Sequence, residues 1–138
     1  MTNEEKSLLL KDLCARFPYG VIINSPSNIF YPSEREDVKL DSVFEIDNNF
    51  YATEDSGWPI ETCKPYLRPM SSMTEEEKKE FKAFHCVSEW HPEFYQAMCN
   101  LPNINNMINW LDKKMFDHRG LIPKGLALEA KEGMYNLN

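Results

Sequence analysis

Lys64-Pro-Tyr-Leu-Arg-Pro-Met-Ser-Ser-Met-Thr-Glu-Glu-Glu-Lys-Lys-Glu-Phe81 divides the chain into two kinds of sequence. Before it come short β-branched and aromatic runs broken by turn residues; after it, apolar residues recur at helical spacing. Pro65 and Pro69 each lack a backbone donor and push the preceding residue toward extended geometry, which predicts that a strand ending near Cys63 does not continue. Thr74 then opens a helix through a capping box with Glu77. Glu75, Glu76 and Glu77 fill the first turn, where the helix dipole favours negative charge, and Glu75 can pair with Lys79. An acidic docking patch is the rival reading of this run. The helix start accounts for every residue in it and is preferred.

Upstream, Thr2-Asn3-Glu4-Glu5 is a second capping box. On the helix it opens, Leu9, Leu10, Leu13, Cys14 and Phe17 share one face at about 100° per residue, and Pro18 stops it. Tyr19–Ile23 reads as a buried strand and Asn24–Asn28 as a turn. Ile29–Tyr31 reads as a short strand. Val38–Ile46 reads as a longer one interrupted in register at Ser42, and Asp47-Asn48-Asn49 as a hairpin turn. Phe50–Thr53 returns, Glu54–Gly57 turns again, and Trp58–Cys63 closes a small antiparallel meander or partly open barrel.

Downstream, a helix from Thr74 to about Ser88 buries Phe81, Phe84 and His85, and a short helix follows over Glu93–Cys99. Ile104, Met107, Ile108, Leu111 and Met115 form an amphipathic stripe within about 100°. Lys113, Lys114, His118 and Arg119 suit that helix's C-terminal end, with Gly120 as its left-handed cap. The tail holds either a short strand over Leu126–Ala130 or an extended arm. The expectation is one α+β domain spanning residues 1–138, with a helix and small antiparallel sheet over 1–69 and a mainly helical part over 70–138.

The 138 residues carry 15 basic and 22 acidic side chains, a net charge of −7, which disfavours nucleic acid as a partner. Through Arg68 there are 7 basic and 12 acidic residues, so the excess lies in the first half. Leu8-Leu9-Leu10 is too short for a signal-peptide core or a membrane span, which predicts a cytoplasmic protein with no membrane partner and with free thiols at Cys14, Cys63, Cys86 and Cys99.

Cys63, His85, Cys86, His91 and Cys99 are the residues most worth testing for metal or nucleophilic chemistry. Without a Cys-x₂₋₄-Cys pair they lack the spacing zinc sites use. Asp117-His118-Arg119 looks catalytic but fits a helix end with its counter-charge. Trp58, Trp90 and Trp110 could mark a binding surface, although Trp110 reads as either a cover for the core edge or a contact with the sheet. With five glycines and no phosphate-loop, nucleophile-elbow or metalloprotease pattern, no residue is assigned a catalytic, cofactor-binding or metal-binding role.

Three segments resemble an uncharacterised family of short proteins from gut Bacteroidales genomes and their phages and prophages. They are Thr2–Arg16 with Pro18-Tyr19-Gly20, Cys63–Glu80, and Phe116–Ile122 with Gly125–Ala130 and Gly133–Asn136. The family pattern has Leu at Phe17 and Tyr at His118. The resemblance implies a bacterial or phage cytoplasmic protein and supplies no catalytic residues. The reading is therefore a non-enzymatic interaction or accessory protein, with an unknown protein partner. The alternatives are a small Cys/His hydrolase or transferase, or an acidic inhibitor of a host nucleic-acid-binding site. The last requires Glu34, Glu36, Asp37, Asp41, Glu45, Asp47, Glu54 and Asp55 to share one face.

Overall fold

The computed structural model describes residues 1–31, 33–53, 57–84 and 104–136, and the fold is α+β. Helix α1 (Asn3–Arg16) begins as its capping box dictates: Thr2 Oγ1 accepts from Glu5 N at 3.1 Å, and Thr2 N donates to Glu5 Oε2 at 2.9 Å. A 3-10 turn carrying Pro18 ends it, followed by Gly20 at φ 77°. That left-handed reversal delays the first strand, so β1 spans Ile22–Pro26 rather than beginning at Tyr19.

The buried face of α1 differs from the expected Leu/Cys/Phe stripe. Leu9, Asp12, Leu13 and Arg16 are buried, whereas Cys14 and Phe17 are exposed. The helix is rotated so that an Asp–Arg pair four residues apart lies inside. A hydrophobicity pattern alone has no reason to select that face.

Two sheets replace the single expected meander. β1 pairs antiparallel with β2 (Arg35–Lys39) from Ile22↔Lys39 to Pro26↔Arg35, and also antiparallel with β6 (Lys64–Leu67). β6 runs parallel to β7 (Leu128–Glu129), giving the order β2-β1-β6-β7. β3 (Val43–Ile46), β4 (Asn49–Ala52) and β5 (Trp58–Pro59) form a separate antiparallel sheet.

The expected Val38–Ile46 strand is thus divided between sheets. Leu40 N still donates to Val21 O at 2.9 Å, while Ser42 O already accepts from Thr53 N at 3.1 Å, so the chain changes partners across Leu40–Ser42. Asp47 and Asn48, at φ 51° and 65°, make the tight β3–β4 turn that the two residue types foretold.

Three further expectations change. Asn24–Pro26 belongs to β1 and is not a turn. Ile29–Tyr31 is not a strand: Asn28 captures it, its Oδ1 accepting from Phe30 N at 2.8 Å and its O from Tyr31 N at 3.3 Å. Trp58–Cys63 folds as β5 plus a 3-10 turn over Ile60–Thr62, and Pro65 lies inside β6 ahead of the residues that pair with β7. The tail's alternatives resolve to the short strand β7.

Helix α2 (Glu75–Ala83) has both capping-box bonds between Thr74 and Glu77, but Glu75 pairs with Lys78 at 3.0 Å and not with Lys79. α2 ends at Ala83, short of the expected Ser88; His85 and the Glu93–Cys99 helix fall outside the described residues. A third helix, α3, is described over residues 104–113.

Gly120 does not cap α3. Met115 does, at φ 64°: Met115 N donates to Asp112 O at 3.1 Å and Phe116 N to Leu111 O at 2.9 Å, the bond pair of a Schellman motif. Phe116 packs with Leu111 and Met73 in a small cluster that also contacts Trp110. Trp110 covers this core edge as expected, its ring 6.0 Å from Phe81, 5.9 Å from Phe84 and 5.8 Å from Phe116. The main core gathers Leu9 and Leu13 of α1, Val21, Ile23, Leu40, Ala52, Ile60 and Leu67, with Leu121 and Leu126 from the tail.

Candidate functional site

Asp12 and Arg16 meet their partners from the other end of the chain. Arg16 Nε lies 2.9 Å from both Asp12 oxygens, and its Nη2 donates to Phe116 O at 2.6 Å. Arg119 Nη1 bridges Asp12 Oδ1 at 2.8 Å and Asp112 Oδ1 at 2.7 Å. His118 Nε2 is 2.8 Å from Asp112 Oδ1. Burial pushes the Asp112 carboxyl up, but hydrogen bonds from His118 and Arg119 and the charges of Arg119 and Arg16 outweigh it and hold the group at about 2. Asp12, Arg16 and Asp112 are almost without exposure. Such a network costs desolvation and is retained only where its partners are in place. Chemically it is a brace joining α1 to the end of α3.

Asp117-His118-Arg119 therefore has two separate jobs, neither of them to counter the α3 dipole as a group. Asp117 accepts from Leu121 N at 2.8 Å and Ile122 N at 2.9 Å, which shapes the loop after α3. Arg119 neutralises Asp112, an acidic residue in the helix's last turn where the dipole disfavours it, and the His118 ring lies within hydrogen-bond distance of the same carboxylate.

A second clamp sits at the junction. Arg68 holds Glu77 in a two-bond fork at 2.8 and 2.7 Å, donates to Lys114 O at 3.2 Å, and lies 4.2 Å over the Phe116 ring. The Arg68 hydrogen bonds, against the opposing effect of burial, hold Glu77 at about 2.

The two described thiols are not poised for attack. Burial pushes Cys14 and Cys63 above their ordinary range. Cys63 Sγ contacts Pro59 O and Thr62 Oγ1, and neither described thiol bonds to His118. His85, Cys86, Trp90, His91 and Cys99 lie outside the described residues. Among the described residues no group of His, Cys, Asp and Glu is arranged to hold a metal ion, and no helix is long and apolar enough to cross a membrane.

The acidic residues of the first half do not form one face. Glu36 and Asp37 are consecutive in β2 and point to opposite sides. Glu45 belongs to the other sheet and Asp47 to its β3–β4 turn, and Glu54 and Asp55 fall outside the described residues. Asp37 is moreover engaged: it accepts from Asn24 at 2.9 Å, Tyr66 at 2.7 Å and Lys131 at 3.0 Å, and the first two bonds chiefly lower it to about 2.

The feature that stands apart is the β1–β2 connection. Ile29, Phe30 and Tyr31 are 70%, 79% and 60% exposed, three successive large apolar side chains in water. Ser27 N donates to Glu34 O at 3.0 Å and Glu34 N to Tyr31 O at 2.9 Å, so the tip is a built turn on a paired hairpin. Its signal was present in the sequence, where the apolar triplet sits directly after Ser25-Pro26-Ser27-Asn28, but an apolar triplet reads equally well as a strand. No protein-family model, curated protein or solved structure matches the chain.

Proposed function

We propose that this chain is a non-enzymatic interaction module, an accessory protein of a bacterial or phage mobile element acting in the cytoplasm, which docks onto a protein partner through the tip of the β1–β2 hairpin. The observation that carries this reading is the exposure of Ile29, Phe30 and Tyr31 on a hydrogen-bonded turn. A monomeric surface tolerates single apolar residues, but a contiguous, presented triplet including Phe and Tyr is the composition of an interface anchor. Burying each in a partner groove contributes up to about 1.5–3 kcal/mol before the costs of association. The charged side chains of β2 around Val38 guard the exposed sheet edge, leaving the tip as the adhesive element.

The test compares tagged wild-type chain with Ile29→Ser/Phe30→Ser/Tyr31→Ser in quantitative affinity enrichment from the native host. A partner retained by the wild type and lost by the triple variant, at unchanged thermal stability, is expected. Identical enrichment by both proteins would remove the hairpin tip from the function.

A further inference from the structure

The hairpin tip has a counterpart elsewhere on the chain. A cleft of about 300 Å³ opens between the end of α1 and the crossover from β2 to β3, lined by Cys14, Phe17, Asp41, Ser42 and Val43. Its apolar walls are Phe17, which is 41% exposed, the exposed Cys14, and Val43, which is partly buried against the main core. Asp41, the carboxylate among the lining residues, accepts from Ser42 Oγ at 3.3 Å. At the lower end of the about 300–1,000 Å³ of small-molecule pockets, the cleft has room for an aromatic side chain and not for a whole helix.

Tip and cleft lie at opposite ends of the β1–β2 hairpin. β2 runs from Arg35, opposite Pro26, to Lys39, opposite Ile22. Residues 29–31 precede its first end and residues 41–43 follow its last, so its 5 residues at about 3.3 Å each hold the two about 15 Å or more apart. A tip therefore cannot fold back into the cleft of its own chain. Charge runs the same way along the hairpin. Glu34 and Glu36 beside the tip are exposed and enter none of the described ion pairs. Neither do Lys11, one turn before Cys14 on α1, and Lys39, which lies against the turn at Gly20 that follows Phe17. We propose that the tip of one copy seats in this cleft of a second copy of the same chain. The inference rests on the tip being the docking element and names what it docks onto. Two different patches meet, so the contact is heterologous and copies join head to tail, in a ring or an open row. A contact this small falls below the standard interface size, which makes the association weak and concentration-dependent.

Sedimentation velocity of the purified full chain, in reducing buffer to prevent disulfide pairing, tests this. The sedimentation coefficient is expected to rise between about 10 μM and about 1 mM. Ile29→Ser/Phe30→Ser/Tyr31→Ser should stay monomeric over that range, and so should Cys14→Glu, a substitution at an exposed helical position. Phe17→Glu, on another wall of the cleft, serves in its place where Cys14→Glu lowers the melting temperature. Mixed in equal amounts, the tip variant and a cleft variant should associate again and stop at two copies, because one supplies the cleft and the other the tip. A wild type that remains monomeric at about 1 mM, a cleft variant that associates as well as the wild type, or a mixture that remains monomeric would overturn the proposal. A monomeric wild type whose tip variant still loses a partner in host enrichment would give the tip to a different protein, and the docking reading would stand without this inference.

Discussion

Arg16 Nη2 donates to the carbonyl of Phe116 at 2.6 Å across 100 residues of chain, while Nε of the same guanidinium lies 2.9 Å from both Asp12 oxygens. One side chain at the last position of α1 therefore neutralises a buried carboxylate and satisfies a carbonyl at the end of the α3 cap. Removing it by Arg16→Met strands Asp12 with Arg119 as its remaining charge partner and leaves a buried acceptor empty. The expected loss is about 3–5 kcal/mol, the range for breaking a buried pair from one side. Urea unfolding reads this as a lowered midpoint at an unchanged slope. An Asp12/Arg16/Arg119 mutant-cycle set should show coupling of about 0.5–3 kcal/mol, since the three share one network.

Acid unfolding should report the two clamps together. Glu77 and Asp112 have folded-state values of about 2, below their ordinary carboxylate values. A depressed carboxylate stabilises above its unfolded value and loses that contribution as pH falls toward the folded value. Stability is thus expected to be flat near neutrality and to fall between pH ~4.5 and ~2, by on the order of 2–3 kcal/mol for each group. Glu77→Gln, which keeps the fork's shape but not its charge, should be less stable at pH 7 and show a shallower acid slope. An unchanged slope would mean that the Arg68–Glu77 fork contributes nothing to acid stability.

The parts of this fold legible in sequence are those whose causes are local. Thr2/Glu5, Thr74/Glu77 and Asp47-Asn48 each specify a bond pattern within four residues, and each formed as read. What was not legible depends on distant partners. Asp12 and Arg16 sit at i, i+4, a spacing that signals a pair, yet nothing nearby shows that Arg119 and Asp112 bury it. Ile29–Tyr31 has strand composition but pairs with no strand among the described residues. β6 accommodates Pro65 because β7, some 60 residues later, pairs only beyond it. The exposed tip was misread for the same reason: composition reports what a segment can do, and exposure depends on what reaches it.

Met115 sets two effects against each other. It occupies the left-handed cap position that glycine takes at no steric cost, yet its side chain is 1% exposed in the main core. Met115→Gly would relieve about 1 kcal/mol of backbone strain and forfeit buried apolar contacts worth about 2–5 kcal/mol. Core packing wins, so net destabilisation is expected despite the better cap. A thermal midpoint equal to or above the wild type would show that the Schellman turn, not the side chain, limits stability there.

Tyr135 pins the C-terminal segment across the four-stranded sheet. Its hydroxyl accepts from Ile22 N at 3.0 Å and donates to Tyr66 O at 2.7 Å, and burial pushes the phenol up to about 12. Tyr135→Phe keeps the ring and leaves the Ile22 N–H and Tyr66 carbonyl without that partner, an expected cost of about 1–3 kcal/mol. Amide exchange at Ile22 should accelerate accordingly. A raised phenol stabilises fully below its unfolded value and loses that contribution as pH climbs, so the wild type should weaken between pH ~10 and ~12. Tyr66, raised by burial and by Asp37, adds to the same alkaline loss. The Phe variant should therefore show a reduced alkaline slope, not an absent one. A slope identical to that of the wild type would mean that the tail is held by Lys131–Asp37 and the β6–β7 pairing without the hydroxyl.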